Sequence, residues 1–279
     1  MLKLFYITNS PQIAVAAQSA GVDRIFVDTE YMGKEERQKG MDTVKNHHTI
    51  SDVRNVRAVL DSSKLIVRVN PLHKNSKREI DSVIEAGADF VLLPMWKTEK
   101  EAAEFVNLVA KRAKTILLLE TAEAAQIADR IVKLPGVDEI YIGLNDLHLS
   151  LHKTFLFELL TDGTVERLAK IFAANSIPFG FGGFGRVNSR ENPLPAENII
   201  AEHYRLSSSA AILSRSFCNF SACNSPEEIE EFFKNEVKEI RCYEKMLLSQ
   251  SPLFFEDMHC KTVQTVEKIV GAQKENRAE

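Results

Sequence analysis

Cysteine is scarce: Cys218, Cys223, Cys242 and Cys260 are the only four in 279 residues, and none forms a C-x-x-C pair. That spacing argues against a zinc ribbon and against a disulfide framework, so reduced thiols are expected. Long hydrophobic runs are absent too. No apolar stretch approaches the roughly 18–20 residues that span a bilayer. The opening MLKLFYITNSPQ has too short an apolar run for a signal peptide. A cytoplasmic protein with no membrane partner is the expectation. Nor is there an excess of positive charge: 35 Lys and Arg stand against 39 Asp and Glu, for a net charge of -4. Nucleic acid is therefore not expected as a partner. What remains is 44% hydrophobic and 27% charged, ordinary for a soluble globular chain with room for one large or two modest domains.

Short apolar runs alternate with segments of helical period. The strand candidates are LKLFYIT (2–8), RIFVDTE (24–30), KLIVRVN (64–70), FVLLPM (90–95), TILLLET (115–121), EIYIGL (139–144), PFGFGGF (178–184) and AAILSRSF (210–217). Their apolar character is nearly continuous, as a strand covered on both faces requires. Helix signals lie between them: PQIAVAAQSAG and SKREIDSVIEAG stop on Gly21 and Gly87, and TEKEAAEFVNLVAKRA opens on Thr98 and reaches Lys111 and Arg112. Eight such alternations predict an α/β fold of the (β/α)8 TIM-barrel type, with an open doubly wound sheet as the alternative. GFGGFG lies late in the chain and does not run directly into a helix, so it is not a dinucleotide fingerprint.

The barrel is expected over residues 1–224. Residues 225–279 read as a helical extension, with Ile229, Phe232, Phe233, Val237, Ile240 and Met246 at helical spacing. Such helices would pack on the barrel or, as the favoured reading, on a neighbouring subunit of a homo-oligomer.

In a (β/α)8 barrel chemistry sits at the C-terminal strand ends. Here those ends carry Asp28-Thr29-Glu30, Arg68-Val69-Asn70, Glu120 and Asn145-Asp146. Two carboxylates pointing into one mouth, Glu120 and Asp146, repel unless a positive charge lies between them. A hard divalent cation such as Mg²⁺ takes one or two carboxylates and leaves positions for substrate oxygens. Plainer readings stand beside this one. Asp146 could be a helix N-cap, Glu120 a first-turn acid, and Arg68 the partner of a core carboxylate such as Asp28 or Glu120.

The segments DRIFVDTE (23–30), IVRVNP (66–71), GADFVLLPM (87–95), LLLETAEA (117–124) and IGLNDLHLSL (142–151) resemble, in order and spacing, the HpcH/HpaI aldolase and citrate lyase β-subunit family of the pyruvate/phosphoenolpyruvate barrels. The resemblance implies Mg²⁺ or Mn²⁺ on Glu120 and Asp146. It also implies Arg68 beside the keto or enolate oxygen of a pyruvate-like group, and backbone amides around Gly143 and Asn145 on the substrate carboxylate. It implies a carbon–carbon lyase acting on a small keto acid or acyl substrate. Phosphoenolpyruvate chemistry on the same site, or a non-catalytic binding subunit, are the alternatives.

One departure bears on proton transfer. HpaI-type aldolases carry a His directly after the Glu of the second-strand motif, where this chain has Tyr31, a poor base at neutral pH. His47 and His48 are the substitute candidates for base or loop contact. His148 is expected to pack or bond locally. Lys34, Arg37 and Lys39 could meet anionic substrate groups, and GFGGFGR, with Arg186, could meet a phosphate or carboxylate tail.

Overall fold

The eight apolar runs become strands because alternate side chains find apolar partners on opposite faces of one sheet. The computed structural model describes residues 1–33, 48–189, 191–218 and 225–278. Its strands are β1 (Lys3–Ile7), β2 (Arg24–Asp28), β3 (Lys64–Arg68), β4 (Phe90–Leu93), β5 (Lys114–Leu119), β6 (Glu139–Ile142), β7 (Phe179–Phe184) and β8 (Ala210–Leu213). All pair in parallel and close in chain order into a barrel. The eighth run is shorter than expected: Ser214 lies beyond the strand, and Arg215–Phe217 forms a single 3₁₀ turn.

Inside the barrel lie Phe5, Phe26, Ile66, Phe90, Leu92, Ile116, Leu118 and Tyr141. Side chains of this size contribute roughly 1.5–3 kcal/mol each when fully buried. The other strand face packs under the helices in a separate, larger cluster. Gly180 of β7 is small because a Cβ there would meet the Tyr141 ring at 2.5 Å. The Tyr141 hydroxyl donates to the Gly182 carbonyl at 2.6 Å and accepts the Ile212 N–H at 2.8 Å, bridging the irregular β7–β8 seam.

The opposite, N-terminal end is fastened by a repeated device. Asp23, Asp89 and Asp138, each just ahead of an even-numbered strand, accept the N–H of Leu4, Leu65 and Thr115 at 2.8–2.9 Å. Each of those amides follows the lysine that opens β1, β3 or β5.

The outer helices include α1 (Pro11–Ser19), α2 (Ile50–Arg57), α3 (Ser76–Glu85) and α4 (Glu99–Val109). Ser10, Thr49 and Thr98 cap α1, α2 and α4, the last two through reciprocal bonds with Asp52 and Glu101. Helix α4 stops earlier than its sequence suggests. Ala110 and Lys111 both take left-handed φ values, 53° and 60°, so Lys111 and Arg112 lie past the last helical turn. Next come α5 (Ala122–Gln126), α6 (Ala128–Ile131), α7 (Leu144–Ser150), α8 (Glu158–Thr161), α9 (Thr164–Ala174) and α10 (Ala196–Arg205).

The tail forms α11 (Pro226–Leu247) and α12 (Pro252–Ala278). Both lie against outer helices of their own chain. Phe233, Val237 and Ile240 of α11 are buried, with the Phe233 ring 4.9 Å from that of Tyr6. Helix α12 meets α10 through Asn198–Thr262 and Glu202–His259 bonds of 3.0 and 2.7 Å. Among the described residues, no helix is long and apolar enough to cross a membrane.

Candidate active site

Arg68 ends β3 directly across from Asp28, which ends β2. Its guanidinium forks onto that carboxylate, Nε to Oδ1 at 2.8 Å and Nη2 to Oδ2 at 2.7 Å, while Nη1 lies 3.3 Å from Glu30 Oε2. Burial works against the charge, but Asp28 and Glu30 outweigh it and hold the guanidinium firmly protonated. Of the plainer readings, pairing with Asp28 is what forms. The pairing also fixes the fork in place at the barrel rim.

Glu120 follows β5 at once and is 3% exposed. Burial pushes its carboxyl up to about 8, the charges of Asp146 and Glu30 add to the rise, and Arg68 and a bond from the Met95 amide oppose it. The Met95 N–H reaches Oε1 at 2.9 Å, from a residue held at φ 55°. Such a conformation is costly for a side chain like methionine. The helix after Glu120 is capped by Thr121 rather than by Glu120.

Asp146 sits half-buried in the first turn of α7. The N-cap is Gly143, and no side chain bonds the free amides there, so Asp146 is not the cap. Gly143 approaches Glu120 closely: a Cβ added to it would lie 2.9 Å from Oε2. One expectation changes. Of the amides around Gly143 and Asn145 expected on a substrate carboxylate, that of Gly143 donates to the Leu119 carbonyl at 2.9 Å and extends the β5–β6 pairing. Asn145 is exposed in the same turn.

His48 Nδ1 accepts the Asp28 N–H at 3.0 Å. A neutral imidazole with Nδ1 accepting carries its proton on Nε2. His148 is buried and bonds the Leu144 carbonyl one turn back at 3.2 Å, the local role expected of it. His47, Lys34, Arg37 and Lys39 lie outside the described residues. Arg186 is held by Glu191 at 2.7 Å.

The rims of β2, β3, β5 and the β6–α7 turn thus bring Asp28, Glu30, Arg68, Glu120 and Asp146 to one end of the barrel. The sequence profile of the HpcH/HpaI aldolase/citrate lyase family matches residues 2–156, more than half of the chain. The chain belongs to that family. The HpcH/HpaI aldolase from Desulfitobacterium hafniense superposes with a TM-score of 0.59 at 14% identity, over 76% of this chain and 86% of that one. A family protein from Burkholderia cenocepacia gives 0.58 at 18%, over 77% and 90%. The citrate synthase SbnG gives 0.56 at 17%, over 76% and 84%. At these identities the superpositions speak for the fold. No curated protein matches the sequence.

The donor set suits the divalent ion associated with this family. Glu120 is disfavoured as an anion first by burial and then by the charges of Asp146 and Glu30, which a cation would offset. Among the described residues no three His, Cys, Asp or Glu side chains group as a metal cage. Mg²⁺ needs only one or two carboxylates, with waters and substrate oxygens completing its shell. Sequence reasoning placed Met95 at the end of a strand run but gave it no part in the site. Nothing in PMWKT signals a left-handed residue, since neither glycine nor asparagine stands there. It also left Glu30 without a role.

Proposed function

We propose that this family member is a divalent-metal-dependent carbon–carbon lyase acting through a pyruvate- or acetyl-type enolate. The observation that carries the reading is the convergence of Arg68, Glu120 and Asp146 at one barrel mouth, with Glu120 raised to about 8 by burial and by its acidic neighbours. Glu120 and Asp146 would hold Mg²⁺ or Mn²⁺, and the bound ion would supply positive charge to the oxygen on which the enolate develops.

Arg68 does its part without the ion. Its Nε and Nη2 are already fixed on Asp28, so the N–H groups left over would meet the developing oxyanion with little reorganisation when the C–C bond breaks. The exposed first turn of α7 at Asn145 remains the candidate for the substrate carboxylate, in place of Gly143. The tautomer of His48 selected by the Asp28 amide makes the neutral ring a hydrogen-bond donor through Nε2. In the direction of condensation it would give that hydrogen bond to the new alkoxide, whereas action as a base would require Nδ1 to release the Asp28 N–H.

The test pairs binding with chemistry. Mn²⁺ binding followed by electron paramagnetic resonance should weaken at least tenfold in Asp146→Asn, with the circular dichroism spectrum unchanged. In D₂O with Mg²⁺ the wild type should exchange the methyl protons of pyruvate, and Arg68→Lys should slow that exchange at least tenfold, because an ammonium cannot reproduce the fork. Phosphate release from phosphoenolpyruvate without pyruvate exchange would replace the lyase reading. Pyruvate binding with neither reaction would make the chain a non-catalytic binding subunit.

A further inference from the structure

At the end of the barrel away from the candidate active site lies a cavity of about 1300 Å³, lined by the starts of β1–β5 and by the turns that lead into β5 and β6. Six basic side chains line it: Lys3, Arg24, Lys64, Lys111, Arg112 and Lys114. Two are fully engaged. Arg24 is paired with Glu139 at 2.8 Å and sandwiched between the Phe5 and Phe90 rings at 4.7 and 4.2 Å. Arg112 bonds Asp81 at 2.7 Å and the Leu108 and Val109 carbonyls.

The lysines are placed differently. Lys3 pairs with Asp23 at 3.3 Å, and Lys64 reaches Asp89 only at 3.6 Å. Lys114 lies 5.8 Å from the centre of the Phe90 ring and feels Glu139 without a bonded contact. Lys111 has no hydrogen bond or ion pair among the described residues. The facing acids are occupied, since Asp23, Asp89 and Asp138 each accept a strand amide, and Asp89 also accepts Arg57. Exposed ammonium groups with engaged acids leave the mouth positive in a chain of net charge -4.

The backbone adds a second observation. Ala110 and Lys111 are consecutive left-handed residues, neither of them glycine, a strain of about 1–3 kcal/mol each that tends to collect at ligand clamps. Here it lifts Lys111 out of helix α4 onto the cavity rim. The remaining wall, with Ala88, Val106 and Pro135, is apolar and offers contact to an organic body. The volume far exceeds that of a bare anion.

We propose that this N-terminal mouth binds an organic di- or triphosphate, with Lys64, Lys111 and Lys114 on the phosphates and the apolar wall on the organic part. Lysine serves phosphate well as a compact, mobile point charge. The site stands apart from the candidate active site, so its occupancy would regulate or stabilise the barrel and take no part in catalysis.

Calorimetric titration of the whole chain with ATP, and separately with pyrophosphate, tests this in metal-free buffer at low ionic strength. Saturable ATP binding at one site per chain is expected, severalfold tighter than pyrophosphate. The Lys111→Asn/Lys114→Gln double variant should weaken it at least tenfold, asparagine tolerating the left-handed backbone. Glu120→Gln, at the other end, should leave it within twofold. Absence of saturable binding overturns the proposal. So does binding indifferent to the lysine pair, or binding lost in Glu120→Gln. Pyrophosphate bound as tightly as ATP overturns the organic part of it.

Discussion

Glu120 is held as an acid that would rather keep its proton, and that has a consequence for the metal-free protein. Its carboxyl titrates at about 8 when folded against 4.5 as an ordinary glutamate. Between those values the folded chain binds a proton that the unfolded chain has released, so stability falls as pH rises through this window. The penalty is absent below about 4.5, grows at up to roughly 1.4 kcal/mol per pH unit, and is complete above about 8. Glu120→Gln removes the titration and keeps an oxygen for the Met95 amide. In the presence of chelator its Tm should match the wild type near pH 5 and exceed it at pH 8, by several degrees if each kcal/mol is worth about 2–4 °C. A variant less stable than wild type at pH 8 would mean that Glu120 supports the fold. Gly143 acts on the same side chain from the other direction. In Gly143→Ala the added methyl must displace Oε2 from 2.9 Å. Pyruvate exchange should then drop by one to two orders of magnitude, the scale on which small misplacements act, while Tm moves by no more than a few degrees.

Among the elements, the contact between α10 and β7 carries its own pH dependence. His203 of α10 is fully buried, stacked on Phe181 with ring centres 3.8 Å apart, and its Nδ1 meets Ser208 Oγ at 2.8 Å. Burial alone pushes the imidazole down to about 3 from 6.5. The unfolded chain therefore binds one more proton between those values, and stability is lost as pH falls from about 6.5 towards 3. His203→Gln should be less stable at pH 7 through lost stacking, yet its stability should fall less steeply with acid, by one proton's worth of slope. An acid limb as steep as that of the wild type would assign the slope to other groups. The same stretch marks the limit of what the sequence discloses. All eight strands were legible because each must be apolar on two faces. The rim residues were legible because polar groups end those runs abruptly. The GFGGFG glycines were not: Gly180 is small to admit the Tyr141 ring from a strand 39 residues earlier, and no local pattern reports a partner so distant. The early end of α4 was hidden for a different reason, since Ala110 and Lys111 have ordinary helical preferences and no glycine or asparagine marks the left-handed turn.

For the whole molecule, one buried carboxylate ties the two ends of the chain together. Glu244 of α11 is fully buried. It accepts the Leu2 N–H at 2.6 Å, 242 positions away, the Tyr204 hydroxyl at 3.0 Å and Arg241 Nη1 at 2.6 Å. Arg241 in turn donates to the Leu2 carbonyl at 2.8 Å and reaches Asp23 at 3.0 Å, one of the three aspartates that fasten the N-terminal end of the barrel. The tail is thus clamped to the start of β1, the turn into β2 and helix α10 at once. Glu244→Leu removes the acceptor from three donors. It leaves a buried amide and a partly buried hydroxyl unbonded and weakens the hold on a charge, a combination that costs roughly 3–5 kcal/mol. Glu244→Gln keeps an acceptor oxygen for the amide or the hydroxyl and loses only the charge facing Arg241, so it should cost markedly less. Urea unfolding of the three proteins should therefore give midpoints in the order wild type, Gln, Leu. A Leu variant within about 1 kcal/mol of wild type, less than the loss of one such buried polar contact, would show that packing of Phe233, Val237 and Ile240 holds the extension without this clamp.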